Sequence, residues 1–364
     1  MRVAFVLPGI GVVPRGAEAF VLELGRALSE HHGIDVTLFC RGPAPLPTVT
    51  IRALDRDTAW VNRLYGATRL GKKVLDTLFL DPLNLEWATA SLSALPGLWR
   101  GRFDVIVMEG GLVGAWVARL LRFCGRGAFV DIAHGNSVKW ETAFARQRPD
   151  AAVTFTADTA AMLRARAPRT RIEVIPHGVD LATFSPAGPR AEVQLPRPLI
   201  LGVGALDDNK RWATTVHAVA ELGRGSLILL GDGPEAPAVD RLAAERLGPG
   251  RYRRLVLPRA ELPLWYRTAD VFTLPSRIES FGLTYLEALG CGTPVVATDD
   301  AVRREVLGEA GVFVDPEDSR AYASAFEQAL ATNWGDRPRR HAEGFPTGAT
   351  AARYAALFQE LAAS

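Results

Sequence analysis

Leu274-Pro275-Ser276-Arg277-Ile278-Glu279-Ser280-Phe281-Gly282-Leu283-Thr284-Tyr285-Leu286-Glu287-Ala288-Leu289-Gly290-Cys291-Gly292-Thr293-Pro294 reads as a strand end, a short loop, a helix and the entry to another strand. The apolar run 271–274 stops at Pro275, and helical spacing begins near Leu283 and ends at Gly290. A helix start carries unpaired N–H groups and a positive dipole end, and Gly282 lets an anion approach the backbone closely. Glu279 stands just before that helix and Glu287 about one turn inside it, so the two carboxylates flank one ligand and face different parts of it. Ionised carboxylates are strong acceptors for hydroxyls, which suits one to a sugar and the other to a ribose diol.

Outward from this segment the same alternation repeats. Short apolar runs bounded by Gly or Pro alternate with longer amphipathic stretches, the pattern that builds parallel sheets. Strands are expected at 2–7, 36–40, 105–108, 127–132, 151–155 and 172–175, with a helix at 17–29. A proline-rich stretch over 185–198 reads as a linker or rim loop, and the series restarts at 199–203, 226–230, 254–257, 271–274, 294–297 and 312–314. Two Rossmann-like α/β domains in tandem follow, with ligands expected beyond the carboxyl ends of the strands and in a cleft between the domains. Tyr354, Leu357, Phe358 and Leu361 recur at helical spacing and predict a packed helix over 349–361. Residues 56–100 fit the alternation poorly, because Trp60, Arg63, Leu64, Tyr65, Arg69, Lys72, Lys73, Trp87 and Trp99 mix bases with aromatics. With no clean apolar stripe, they read as a helix on the domain flank in preference to an interfacial one.

A chain of 364 residues holds two or three domains at roughly 150 residues each. Hydrophobic residues at 48% and charged residues at 23% exclude disorder for most of it. The longest apolar stretch, 110–124, is interrupted by Arg119 and Arg122 and falls short of the ~20 residues that cross a bilayer. Pro8-Gly9-Ile10-Gly11 ends the first apolar run before a secretory core can form, so that run reads as a buried strand. Cys40, Cys124 and Cys291 are odd in number and far apart, which points to a reducing, cytoplasmic compartment. The net charge of +2 argues against a nucleic-acid partner. It is unevenly spread: residues 1–175 carry 22 basic and 16 acidic side chains, and the remainder 20 and 24. A basic front half suits an anionic acceptor or peripheral contact with the inner face of a membrane.

The Glu-x7-Glu pair, with its Phe-Gly step and the Gly-x-Pro strand entry after it, resembles glycosyltransferase family 4 of the GT-B fold. Four further features occur in register. Arg15-Gly16-Ala17-Glu18 is similar to the family's amino-terminal Gly-Gly-x-Glu step, and Pro176-His177-Gly178-Val179-Asp180 with Phe184 to its interdomain turn. Gly231-Asp232-Gly233-Pro234 is similar to a turn after a middle strand, and Gly202-Val203-Gly204-Ala205-Leu206 with Lys210-Arg211 to the phosphate clamp. The resemblance implies two Rossmann-like domains facing each other across a cleft. An acceptor-binding domain is expected over 1–178, a nucleotide-sugar donor domain over 179–348, and a terminal helix over 349–364 that packs back on the first. It further implies a retaining transferase that moves a hexose from a UDP- or GDP-sugar to a glycan, lipid-linked or small-molecule acceptor. The nucleotide sugar is then a substrate, and no cofactor is expected.

Residue by residue, the resemblance implies that Glu287 binds the ribose, that Glu279 contacts sugar hydroxyls, and that Lys210 neutralises the departing diphosphate. Amides around Phe281, Gly282 and Leu283 support sugar and phosphates, Gly16, Gly204 and Gly233 belong to the loops around the donor, and backbone near Arg259 meets the base. His134, after the strand ending at Ile132, is expected at the cleft rim, lining the reaction centre. Lys210 stands out without any family: the chain has four lysines and thirty-eight arginines, and a freely turning point charge suits a flexible diphosphate. A solvated helix-start residue is the plainer alternative.

Two departures matter. Ala205 occupies the place where the family usually has Arg, so a second cation is sought in Arg211 or Arg277. Asp299-Asp300-Ala301-Val302 replaces a Gly-Gly pair ahead of the Glu that matches Glu305. No His/Asp cluster stands at metal-ligand spacing, so no metal is expected. His177 is expected to be structural, and His31, His32, His217 and His341 to lie at the surface. Gly9-Ile10-Gly11 with Gly16 mimics a dinucleotide fingerprint, but the spacing is wrong and Arg41 stands where a nicotinamide site needs an acid. The alternative from another class is a noncatalytic nucleotide-sugar or glycan binder on the same scaffold, for which Ala205 speaks. No side chain is placed as a covalent nucleophile, so the resemblance favours same-face displacement over double displacement.

Overall fold

Strands apolar at nearly every position, such as Val105–Met108 and Ser226–Leu230, are buried along their whole length, as a parallel sheet covered on both faces requires. A computed structural model of the chain describes all residues except 14–15, 56–57, 59–60, 62, 64, 66–74, 77–80, 110 and 135–136. Trp60, Leu64, Arg69, Lys72 and Lys73 of the aromatic and basic stretch, together with Arg15, lie outside the described residues. The described chain divides into two compact units, one comprising Met1–Pro176 with Gly348–Ser364, the other His177–Thr347.

The first unit holds a sheet of β1 (Arg2–Val6), β2 (Asp35–Cys40), β3 (Thr48–Thr50), β4 (Val105–Met108), β5 (Ala128–Ile132), β6 (Ala151–Thr154) and β7 (Ile172–Val174). Its order is β3-β2-β1-β4-β5-β6-β7, and every neighbouring pair is parallel. Helices α1 (Gly16–His32), α2 (Pro82–Gly101), α3 (Leu112–Phe123), α4 (Val138–Ala145) and α5 (Ala157–Arg166) connect these strands. Asp81 starts α2 by accepting from the Leu83 and Asn84 amides at 3.1 Å, with Pro82 at the first helical position. One face of α2 then buries Ala90, Ala94 and Leu98 with Ala115, Ala118 and Leu121 of α3 in a common core.

The second unit contains β8 (Leu199–Val203), β9 (Ser226–Leu230), β10 (Tyr252–Leu255), β11 (Val271–Leu274), β12 (Val295–Thr298) and β13 (Gly311–Val314), in the order β10-β9-β8-β11-β12-β13, again all parallel. Its helices are α6 (Trp212–Glu221), α7 (Ala236–Leu247), α8 (Leu262–Thr268), α9 (Leu283–Gly290), α10 (Ala301–Leu307), α11 (Ser319–Ala331) and α12 (Arg337–Ala342). The last helix, α13 (Thr347–Ala362), belongs almost wholly to the first unit. Phe358 packs against Phe5 with ring centroids 6.2 Å apart, and Tyr354 against Phe20 at 5.9 Å.

Each sheet therefore has a point where the strand order reverses, between β1 and β4 in one unit and between β8 and β11 in the other. The crevice beyond the carboxyl ends at such a point is the natural ligand site of this architecture. Two strands depart from expectation. β3 is an exposed three-residue edge with no apolar run to announce it. β10 begins at Tyr252 and ends at Leu255, because Tyr252 and Arg254 hold it to Asp240 through polar contacts that a hydrophobic pattern does not record. Among the described residues no helix is long and apolar enough to cross a membrane.

Candidate active site

The reversal point of the second unit gathers the loops after β8 and β11. Asp207 caps a short turn over Asp208–Lys210, accepting from the Lys210 amide, and aims the Lys210 side chain at Glu279. Nζ of Lys210 donates to Oε2 of Glu279 at 2.8 Å, and the Ser276 hydroxyl donates to the same oxygen at 2.9 Å. Burial works to raise the pKa of Glu279. The charges of Lys210 and Arg303 and the Ser276 hydrogen bond outweigh it, leaving the carboxyl below its ordinary value. Behind the loop, the Arg303 guanidinium is 1% exposed. It donates to the Ser276 carbonyl at 2.7 Å, the Ser276 hydroxyl oxygen at 3.1 Å and the Tyr285 hydroxyl at 3.1 Å, and it pairs closely with Asp300. A fork with fixed donor directions is what such a junction needs.

Gly282 stands at φ +85°, immediately ahead of α9, and a Cβ there would lie 2.3 Å from the Tyr285 ring. Only glycine turns the chain here without strain, which leaves the first amides of α9 without a side-chain cap. The Phe281 side chain is buried and packs edge-on against His177 at 5.2 Å and Phe345 at 6.0 Å, so only its backbone faces the loop end. Inside α9, Glu287 is 1% exposed. Its Oε2 accepts from the Tyr266 hydroxyl at 2.8 Å, and Nη1 of Arg259 lies 2.7 Å from Oε1. That second contact is an ion pair without hydrogen-bond alignment, so Oε1 keeps acceptor capacity. Burial and the neighbouring carboxylate push the Tyr266 hydroxyl far up, so it stays a donor.

Gly204 and Gly233 lie in turns packed on each other. The Leu206 amide donates to the Asp232 carbonyl at 2.9 Å, and a Cβ at Gly233 would lie 2.4 Å from the Leu206 carbonyl oxygen. Arg211, sought as the second cation, has a different occupation. Its guanidinium is committed to the Pro275 carbonyl at 2.7 Å, the Ser276 carbonyl at 3.3 Å, Thr298 at 3.2 Å and Glu317 at 2.9 Å, which pins the loop from behind. Arg277 is exposed and stands 3.8 Å from Asp208.

In the first unit, His134 follows β5 and Glu109 follows β4. Nε2 of His134 is in close contact with Oε2 of Glu109, whose side chain is fully buried. Phe20 and Phe155 flank the imidazole at 6.3 and 5.5 Å. Burial alone lowers the pKa of His134, but Glu109, Glu141 and Glu18 together raise it. Asp131, buried within β5 three residues earlier, is driven well above its ordinary value by burial and by Glu141 and Glu109. Gly16 is exposed at the start of α1 with open space around its Cα, and Glu18 is buried against Gly9. His341, expected at the surface, donates from Nε2 to the Val306 carbonyl at 2.8 Å and packs on Phe345.

A family profile described as Glycosyltransferase Family 4 matches residues 14–183, and one described as Glycosyl transferases group 1 matches residues 197–332. The chain belongs to glycosyltransferase family 4. A D-inositol 3-phosphate glycosyltransferase of Corynebacterium efficiens is 33% identical over 216 residues, covering 52% of this chain and 51% of that protein. A GDP-mannose-dependent alpha-(1-6)-phosphatidylinositol monomannoside mannosyltransferase of Mycolicibacterium smegmatis is 31% identical over 259 residues, 63% of this chain and 66% of that protein. The chain spans about half the length of the first curated relatives it matches. Sucrose-phosphate synthase from Thermosynechococcus elongatus superposes with a TM-score of 0.80 at 22% identity, covering 100% of both chains, which establishes the GT-B fold.

Within this family 4 member, the second unit brings together Lys210, Glu279, Gly282, Leu283, Glu287 and Arg259, while His134 and Gly16 belong to the first unit. Arg303, Ser276, Tyr266 and Glu109 escaped the sequence reading. Arg303 had one available signal: its neighbours Ala301 and Val302 mark the departure from the family's Gly-Gly pair.

Proposed function

We propose that the chain transfers a hexosyl group from a UDP- or GDP-sugar to a hydroxyl of a glycan, lipid-linked or small-molecule acceptor, with retention and without a metal ion. The observation that carries this reading is the contact chain Lys210–Glu279–Ser276–Arg303 beside the uncapped start of α9. An ammonium has three donor hydrogens, and Lys210 directs one at Glu279, which leaves two for phosphate oxygens as the diphosphate departs. Charge already in place where negative charge develops lowers a barrier by several kcal/mol, about 3–4 for a single strong donor. The first amides of α9, with Phe281 and Gly282, take the remaining phosphate oxygens. Tyr266 holds Oε2 of Glu287, and Oε1, buried beneath the partly exposed Arg259, accepts from the ribose hydroxyls once that guanidinium turns aside; Glu279 accepts from a sugar hydroxyl.

Glu279 is engaged by Lys210 and Ser276 and is poorly disposed as a nucleophile, which supports direct displacement on one face of the sugar. The bond from the anomeric carbon to the diphosphate breaks, the acceptor oxygen bonds on the same face, and the acceptor proton passes to the departing phosphate. The relative named for GDP-mannose supports a GDP-sugar donor, and the Anabaena protein HepE, solved with UDP and glucose, a UDP-sugar donor. The relatives named for inositol phosphate and phosphatidylinositol support an acceptor that carries a phosphate, in keeping with the basic excess of residues 1–175. Three free cysteines support a reducing, cytoplasmic site of action.

The deciding experiment incubates the chain with UDP- and GDP-hexoses in the presence of a chelator and follows donor loss and product configuration by NMR. Transfer or hydrolysis giving an axial product from an axial donor is expected, and inertness towards both nucleotide series overturns the reading. One observation favours a second reading as a noncatalytic binder: Ala205 brings no charge, and Arg211 is committed to backbone carbonyls. Tight UDP or GDP binding without turnover on any acceptor selects that alternative.

A further inference from the structure

The first unit exposes an apolar surface on α2 and α3 that the transfer chemistry does not use. Trp116, Leu120 and Phe123 follow one another at helical spacing along α3 and are 56%, 51% and 89% exposed. On α2, Leu92 and Trp99 are 56% and 42% exposed, with the exposed Pro96 between them on the same face. The two helices share one core, and the Arg126 guanidinium, just beyond α3, lies 4.6 Å over the Trp99 ring, which ties the two exposed faces together. A soluble surface rarely keeps five large apolar side chains this open in one place.

The charge around them has a single sign. Residues 87–103 and 110–130 contain Arg100, Arg102, Arg119, Arg122 and Arg126 and no Asp or Glu. The acids that flank these segments are buried or engaged: Glu86 is buried against Arg41, Asp104 accepts from the Arg2 amide at 2.7 Å, Glu109 is buried against His134 and Asp131 is buried in β5, while the more distant Asp150 pairs with Arg122 at 2.5 Å. Arg100, Arg102 and Arg119 have no ion pair among the described residues.

We propose that this face of α2 and α3 seats the protein on an anionic lipid surface. Trp and Phe are the side chains that settle at the headgroup level of a bilayer, and arginines around them reach the phosphates. A protein partner of matching shape would be expected to meet arginines with carboxylates and to need hydrogen-bonding groups. This face instead offers long apolar side chains and unpaired guanidinium groups, the two things a charged lipid surface rewards together. The inference stands independently of the transfer reading, since it concerns no residue of the candidate site.

The test is co-sedimentation of the full chain with vesicles of phosphatidylglycerol mixed with phosphatidylcholine, and with phosphatidylcholine alone. Binding is expected to the first and to be weak on the second, and raised salt is expected to weaken it. Leu120→Ser with Phe123→Ser is expected to lower the partition coefficient at least tenfold, and Arg100→Ser or Arg119→Ser about fivefold each. The replaced side chains are exposed, so an unchanged melting curve is expected to accompany the loss. Cys124 is exposed while Cys40 and Cys291 are buried, so an environment-sensitive dye on Cys124 is expected to report transfer into an apolar medium when anionic vesicles are added. Wild-type protein left in the supernatant with anionic vesicles overturns the proposal, as does a double variant that partitions like wild type. Self-association of the lipid-free protein that the same double variant abolishes would assign the face to contact between copies and overturn it equally.

Discussion

The two units carry the same kind of sheet and opposite electrostatics at its reversal point. In the second unit a carboxylate, Glu279, is surrounded by Lys210 and Arg303, which keep it ionised despite burial. In the first, a single imidazole, His134, faces Glu109, Glu141 and Glu18, which raise its pKa despite burial, while Asp131 beside them is driven towards its neutral form. The difference teaches what each end of the same scaffold is built to meet. Buried Arg303 and the neighbouring Lys210 favour the ionised form of Glu279, whereas carboxylates around His134 favour the protonated imidazole, a donor in an otherwise acidic setting. Their responses to pH run in opposite directions. Glu279 has a lowered folded pKa, so its contribution to stability is complete above the ordinary value of 4.5 and is lost as the pH falls through the folded one. His134 has a raised folded pKa, so its contribution is complete below 6.5 and is lost as the pH rises through the folded one.

Removing the cation of the second unit is the sharpest way to break this contrast. Lys210→Ala is expected to cut turnover by about 10²–10³-fold at saturating donor, in line with the loss of one preorganised donor to developing charge. Turnover within a fewfold of wild type would place the leaving-group charge elsewhere. Arg303→Met is expected to destabilise by about 3 kcal/mol, the lower end for breaking a buried pair, because Asp300 is partly exposed. It also raises the pKa of Glu279, so the acid limb of kcat/KM moves to higher pH; a purely structural role would lower stability and leave that limb in place. Glu287→Ala is expected to weaken UDP or GDP binding by about 10–100-fold, the range for hydrogen bonds to a charged group, read by calorimetry. Unchanged affinity would remove the ribose from this carboxylate. The smallest effect is expected from Glu109→Gln. The His134 proton, followed by NMR titration, should leave at lower pH, and the decline in stability on raising the pH should begin earlier. A titration at the wild-type position would show that Glu141 and Glu18 suffice.

Much of this was legible in the residues alone. The buried strands announce themselves as short apolar runs bounded by Gly and Pro, and β8, β9, β11 and the α9 segment stand where their spacing puts them. β3 was invisible because three exposed residues at a sheet edge carry no period. Lys210, Glu279 and Glu287 could be read because loop ends and helix starts constrain what a lysine or carboxylate can do there. Arg303 could not, since an arginine inside a helix looks like a solvated one until the fold places Ser276, Tyr285 and Asp300 around it. Glu109 was hidden for the same reason: a lone acid after an apolar strand acquires meaning only when β5 brings His134 beside it.

The interleaving of the two units bears on how the protein is made. Tyr354 and Phe358, fully buried against Phe20 and Phe5, come from residues translated after the whole of 177–347. The first unit therefore cannot close until the whole of the second has been made. A nascent chain stalled before residue 347 would present a first unit whose core still lacks its closing helix, open to chaperones and proteases.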